Sequence, residues 1–111
     1  MQLQIEEKAK VVLIAIKENR LDAHNSGELK SQLLALFEQG KNNLLIDLQE
    51  VRFVDSSGLG ALVSGFKNAS ARSGSLKLCG LQPQVKSMFE LTRLHRVFEI
   101  FASEQDALTS F

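Results

Sequence analysis

The sequence predicts an α/β domain in which a mixed, mostly parallel β-sheet, opened by an N-terminal hairpin, carries about four helices packed against it. Three observations lead there. The first 16 residues hold two apolar segments of strand character joined by a short polar link. From Asn25 onward, segments of helical period alternate with short apolar runs. A chain of 111 residues with 44% apolar side chains suits one self-sufficient core, with no need of disulfide or metal. The resulting order is β-β-α-β-α-β-α-β-α over residues 1–111, read as a single domain, and right-handed crossovers lay the helices against the sheet.

Each element has its own signal. Leu3 and Ile5 alternate with Gln2, Gln4 and Glu6, the period of a half-buried strand, and the β-branched run Val11 to Ile16 follows across Lys8-Ala9-Lys10. Between Asn25 and Gln39 the period changes. Asn25 and Glu28 have capping-box spacing, Leu29, Leu33, Leu36 and Phe37 recur at helical intervals, and Gly40 stands where a left-handed C-cap is wanted. Asn43 to Leu48 returns to an apolar strand. After the segment Val51 to Val54, a second helix starts at or just after Ser57 and runs to Ala71, with Leu59, Leu62, Val63 and Phe66 on one face, assigned mainly to the core. Leu76 to Cys79 reads as a strand. Pro83 suits a first helical position, ahead of an apolar face of Val85, Met88, Phe89 and Leu91. Val97 to Phe101 is the last strand candidate, and Ser103 with Asp106 opens a final short helix.

Composition narrows the classes of function. Thirteen Lys and Arg balance thirteen Asp and Glu, so the electrostatic attraction behind non-specific nucleic-acid and anionic-membrane binding is missing. No run approaches a membrane span and the N-terminus lacks the pattern of a signal peptide, so no membrane insertion is expected. The single Cys79, inside an apolar run, reads as a buried thiol in a reducing compartment, and a cytoplasmic location follows.

The densest unusual segment is Asp55-Ser56-Ser57-Gly58-Leu59-Gly60, between a β segment and a helix. Ser56 or Ser57 can accept from the first free backbone N–H groups, Asp55 complements the helix dipole, and the glycines permit close backbone approach. An ordinary helix cap explains all of this. Nucleotide-loop patterns fail on spacing: Val63 stands where a dinucleotide fingerprint needs glycine, and Phe66-Lys67 follows Gly65 where a P-loop needs Lys-Ser/Thr. A hydrolase elbow fails because neither serine has glycine two places earlier. His24 and His95 have no partner at a metal-ligand spacing. Asp22, Asp47 and Asp55 lie near strand ends, where three acids could converge on a metal as in an aspartyl-phosphate receiver, or could be solvated turn residues.

The segment Val54-Asp55-Ser56-Ser57-Gly58-Leu59-Gly60-Ala61-Leu62 resembles the signature of the STAS family, specifically the single-domain bacterial anti-sigma factor antagonists. The likeness extends to the opening hairpin, Leu21-Asp22, Asn43 to Leu48, Gly74 to Leu78, and Met88 to Thr92. The resemblance implies a STAS-like sheet and a non-enzymatic switch without cofactor or metal. Its serine directly after the motif aspartate, Ser56 with Ser57 as the second choice, is phosphorylated by a serine kinase of histidine-kinase-like ATPase fold that is also the anti-sigma factor. The unphosphorylated form binds that protein and frees a sigma factor; a serine phosphatase reverses the block. Asp22 matches the family's other acidic position. The surroundings implied for phosphorylation and partner binding are Asp22, Asp55, Ser57, Gly58, Leu59, Gly60, Ser64 and Lys67, with Asn68 beside them. Where the family commonly shows Gly-Glu/Lys-Leu/Ile-Asp, this chain has Asn19-Arg20-Leu21-Asp22. Asn19 tolerates the positive φ that glycine would take, and Arg20 changes the charge beside the site. Two alternatives stay open: a receiver-like domain with Asp55 as phosphate acceptor and Asp22 or Asp47 as metal ligands, and a STAS subunit of a lipid-transport or stressosome-like assembly.

Overall fold

A computed structural model describes residues 1–111. Its strands are β1 (Leu3–Lys8), β2 (Val11–Ile16), β3 (Arg20–Leu21), β4 (Asn43–Asp47), β5 (Phe53–Val54), β6 (Ser75–Cys79) and β7 (Ile100–Phe101). The helices are α1 (Ser26–Glu38), α2 (Ser56–Ala71), α3 (Pro83–Leu91) and α4 (Glu104–Thr109), with a 3-10 turn at Leu94–Arg96. A five-stranded sheet runs in the order β1-β2-β4-β6-β7. Only β1 is antiparallel, pairing from Leu3 with Ile16 to Lys8 with Val11, so that Ala9 and Lys10 form the turn and Ala9 takes φ 58°. The β4 and β6 pairings keep one parallel register, Leu44 with Leu76 and Ile46 with Leu78.

Strand periodicity sorts the two faces of the sheet. Val12, Ile14, Ile16, Leu44, Ile46, Leu76 and Leu78 face a core completed by Leu29, Leu33 and Phe37 of α1, Leu59 and Leu62 of α2, and Val85 and Phe89 of α3. The opposite side chains Val11, Leu13, Leu45 and Cys79 meet Ala107 of α4. That second face also carries Lys77, whose Nζ donates to the Ser110 carbonyl oxygen at 3.0 Å and hydroxyl at 2.9 Å and pairs with Glu99 at 3.1 Å. Burial pushes the Cys79 thiol up to about 12, with the Asp47 and Glu104 carboxylates adding to the rise, so it stays protonated at neutral pH.

Several expected details hold. Gly40 has φ +80° just past α1, and the N–H of Lys41 reaches back to the Leu36 carbonyl at 3.0 Å. Pro83 opens α3, and Ser103 Oγ accepts from Asp106 N at 3.1 Å at the start of α4.

Other details differ for identifiable reasons. The Asn25–Glu28 capping box does not form: the Asn25 side chain faces back into the preceding loop, and Glu28 meets the Met1 amino group. Asn19 is not among the positive-φ residues; its carbonyl is drawn into bonds from Arg52 N at 2.7 Å and Phe53 N at 3.2 Å. Leu91 is 81% exposed. It lies six residues past Val85, about a third of a turn away from the buried stripe of α3. The expected strand over Val97 to Phe101 shrinks to Ile100–Phe101. Arg93 takes φ 61° and the chain turns through Leu94–Arg96, which drives Phe98 into the core edge-on to Phe66 and Phe89, at 5.3 and 5.7 Å between centroids. Burying one more aromatic ring outweighs extending an edge strand.

Candidate functional site

A second, separate ladder builds the site. β3 and β5 pair in parallel with Arg20 opposite Phe53 and Leu21 opposite Val54, and Asp55 N donates to the Leu21 carbonyl at 3.2 Å. Asp22 and Asp55 are therefore the first residues beyond two adjacent parallel strands, brought together from positions 33 apart in sequence. Val51 to Val54 reads as a β segment in the sequence, but two residues per strand are too few to show a periodicity, and the pairing with Arg20–Leu21 had no signature.

At the head of α2 the cap is Asp55, not either serine. Asp55 has extended backbone angles, its Oδ1 accepts from Gly58 N at 2.9 Å, and its Oδ2 accepts from Ala23 N at 3.2 Å across the ladder. One carboxylate thus caps the helix and ties down the neighbouring loop. Ser56 and Ser57 fill the first two helical positions and both are exposed. Their backbone N–H groups meet no protein acceptor, as expected for a helix start. Helix α2 accordingly begins at Ser56, one residue ahead of expectation.

The loop from Arg20 to Ser26 folds around Asp22, which is only 8% exposed. Asp22 Oδ1 accepts from His24 N at 3.0 Å and Oδ2 from Arg20 Nε at 3.2 Å. Asn25 closes the loop: its Oδ1 accepts from Asp22 N at 2.9 Å and its Nδ2 donates to the Arg20 carbonyl at 2.8 Å. The bond from His24 N, followed by the Arg20 guanidinium, holds the Asp22 carboxyl below its usual range against the opposing effect of burial. Folding therefore favours the ionised form. That contribution is complete above the ordinary carboxylate range and drains away as the pH falls through it towards the lower folded value. Asp22→Asn is expected to be less stable than wild type at pH 7, with the two denaturation curves converging below about pH 4; a gap that stays constant down to pH 2 would contradict this.

Further along α2, Leu59 and Leu62 are buried and Val63 and Phe66 half-buried, as a core stripe should be. Gly60 and Lys67 are exposed, and Ser64 and Asn68 half-buried, on the outer side. With Val63 these four line a shallow concavity of about 400 Å³. The structure brings Asp22, Asp55, Ser56, Ser57 and Gly58 into one cluster; Ser64 and Lys67 lie two and three turns along the helix.

Asp47 does not join the other two acids. It ends β4 in the main sheet, where its Oδ1 accepts from Gln49 N at 2.9 Å and lies against Gly80. No three His, Cys, Asp or Glu side chains gather as a metal-holding group. His24 stands in the loop beside Asp22, while His95 Nδ1 lies 3.4 Å from the Phe89 carbonyl in the turn after α3. Sequence reasoning missed Ala23, whose N–H joins the two halves of the site, and Asn25 as the loop's clasp; the Asp-x-x-Asn spacing was the only available signal for the latter.

The STAS domain model matches residues 2–107. The chain belongs to the STAS domain family. Among its relatives, this STAS domain is 30% identical over 111 residues to the anti-sigma F factor antagonist of Paenibacillus polymyxa, covering 98% of this chain and 95% of that one. It is 35% identical over 85 residues to the anti-sigma-B factor antagonist of Bacillus subtilis, covering 77% of each. An anti-sigma-factor antagonist (STAS) domain protein from Planctomyces limnophilus superposes with a TM-score of 0.88 at 26% identity, over 97% of this chain and 96% of that one. The mixed, mostly parallel sheet with four helices is the STAS fold. No helix of this domain is long and apolar enough to cross a membrane.

Proposed function

We propose that this STAS domain is an anti-sigma factor antagonist, switched by phosphorylation at Ser56. In this reading the unphosphorylated form binds an anti-sigma factor that is also a serine kinase of histidine-kinase-like ATPase fold, and so releases a sigma factor. The kinase transfers the γ-phosphoryl group of ATP to Ser56 Oγ, releasing ADP and a proton; a serine phosphatase hydrolyses the ester to serine and inorganic phosphate. The relatives named as anti-sigma factor antagonists support the binding role. The observation that carries the switch is the exposed Ser56 at the first position of α2, beside an Asp55 whose two oxygens are already engaged by backbone N–H groups.

The physics of that position suits a switch. A phosphoserine adds about −1.5 to −2 charge at pH 7. The free N–H groups and dipole of the helix start favour it, while Asp55 and Asp22 oppose it. With attraction and repulsion both local and the serine exposed, the fold accommodates phosphate with little rearrangement, and the partner's surface is what rejects it. The receiver-like reading fares worse, because phosphorylating Asp55 would take up one of the two carboxylate oxygens that cap α2 and hold the Ala23 N–H.

The test uses the purified anti-sigma kinase with wild type, Ser56→Ala, Ser57→Ala and Ser56→Asp, read by calorimetric affinity and by mass spectrometry after ATP addition. Wild type and Ser57→Ala should gain one hydroxylamine-resistant phosphate, Ser56→Ala none, and Ser56→Asp should lose binding. Equal affinity of all four forms, or phosphate on Ser57 alone, overturns the switch at Ser56.

A further inference from the structure

We infer that Arg20 and Phe53 form one docking anchor beside Ser56, and that it receives a carboxylate flanked by apolar surface on the anti-sigma factor. The inference rests on the binding role proposed above and specifies which part of the surface selects the partner.

The two residues sit opposite each other in the β3–β5 ladder. Leu21 and Val54 point into the core, so the alternation of the strands turns Arg20 and Phe53 outward. Phe53 remains 43% exposed and the Arg20 side chain 61% exposed. The guanidinium carbon lies 4.3 Å from the centroid of the Phe53 ring, and Nε is held at 3.2 Å by Asp22 Oδ2. The cation–π contact and one hydrogen bond thus hold the group in place, while Nη1 and Nη2 meet no acceptor in the protein. What remains is a guanidinium already paired with Asp22 through Nε, whose orientation is set in advance and whose two free Nη groups match a second carboxylate in two-point geometry.

Arginine and aromatic residues are the types that dominate interface energetics, and here one of each stands exposed side by side. The ladder that holds the pair ends in Asp22 and Asp55, so the anchor is continuous with the head of α2 and Ser56. The charges at this end of the ladder are the Asp22 and Asp55 carboxylates, so the incoming acid must be held by two-point contact and apolar burial against their repulsion rather than by net attraction. The free donors call for an acidic side chain, and the open edge of the Phe53 ring calls for apolar contact next to it. Lysine at position 20 would keep the charge but lose both the fork and the flat stacking surface.

The experiment uses a Ser56→Ala background, which cannot acquire phosphate at that serine, and the purified anti-sigma kinase, with affinity read by calorimetry and Tm recorded for every form. Arg20→Glu should weaken binding by at least about tenfold, Arg20→Lys by several-fold, and Phe53→Ala by about tenfold. With Arg20→Ala measured as well, the double variant Arg20→Ala with Phe53→Ala should cost no more than the larger of the two alanine losses, as for two residues acting as one unit. Phe53→Leu, which keeps the ladder's apolar contact, controls for folding. Replacing the facing acidic residue of the kinase by lysine should restore binding to Arg20→Glu, which a distorted Asp22 loop would not permit. Arg20→Glu binding within twofold of its parent overturns the anchor, as does an effect confined to self-association of this chain. If the parent itself fails to bind an anti-sigma kinase, the proposed function falls and the anchor with it; if the parent binds and Arg20→Glu binds equally, only the anchor falls.

Discussion

Gly58→Ala is expected to lower the unfolding free energy by about 3 kcal/mol and to abolish recognition at Ser56. A Cβ at position 58 would overlap the Leu21 carbonyl oxygen and come within 2.9 Å of Val54 Cγ1. Both are fixed: the carbonyl accepts from Asp55 N, and Val54 is buried in the core. Relief therefore requires the head of α2 to lift from β3, which separates Asp55 from Ala23 and from the Asp22 loop. Gly60→Ala is the matched control. Beyond its own stretch of helix nothing lies within 4 Å of the added carbon, and alanine in a helix interior is favoured over glycine by about 1 kcal/mol. Urea denaturation with kinase binding checks both variants; a Gly58→Ala protein that melts with wild type would show that β3 and α2 are not in the close contact described.

Phe98→Ala should cost about 3–5 kcal/mol. The ring is buried and stands edge-on to both Phe66 of α2 and Phe89 of α3. Its loss leaves a space bounded by two helices that are each held by other contacts, so the walls cannot simply close. Phe98→Leu should recover part of the loss in the same denaturation assay. Val97→Ala, at the neighbouring exposed position, should change little; comparable losses at 97 and 98 would restore the strand reading of this segment.

Legibility in the sequence followed the strength of the local signal. Val11 to Ile16, Leu44 to Ile46 and Leu76 to Cys79 announce buried strands because both faces of the sheet are covered at β2, β4 and β6. The heads of α3 and α4 were legible from Pro83 and Ser103, whose chemistry fits a single role. Asn25 was misread because the same side chain can cap a helix or clasp a loop, and the loop offered it both a donor and an acceptor. Phe98 was misread because its preference for burial has no period. At the site, residue types alone marked a helix start near Asp55-Ser56-Ser57, but not that Asp55 rather than a serine is its cap, since all three side chains suit that role. The partnership of Asp22 with Asp55, and of Arg20 with Phe53, was not evident, because both depend on the register of a ladder only two residues long.

The clasped loop has a kinetic meaning. Asp22, Asn25 and Ala23 engage one another and Asp55 through backbone and side-chain bonds before any partner arrives. For the docking proposed above, a partner on this face would therefore freeze few further torsions and meet no slow folding step of the loop. Under that proposal encounter is the meeting of two shaped bodies, expected at rates of roughly 10⁵–10⁷ M⁻¹s⁻¹, with differences among partners expressed in how long they stay rather than in how fast they arrive.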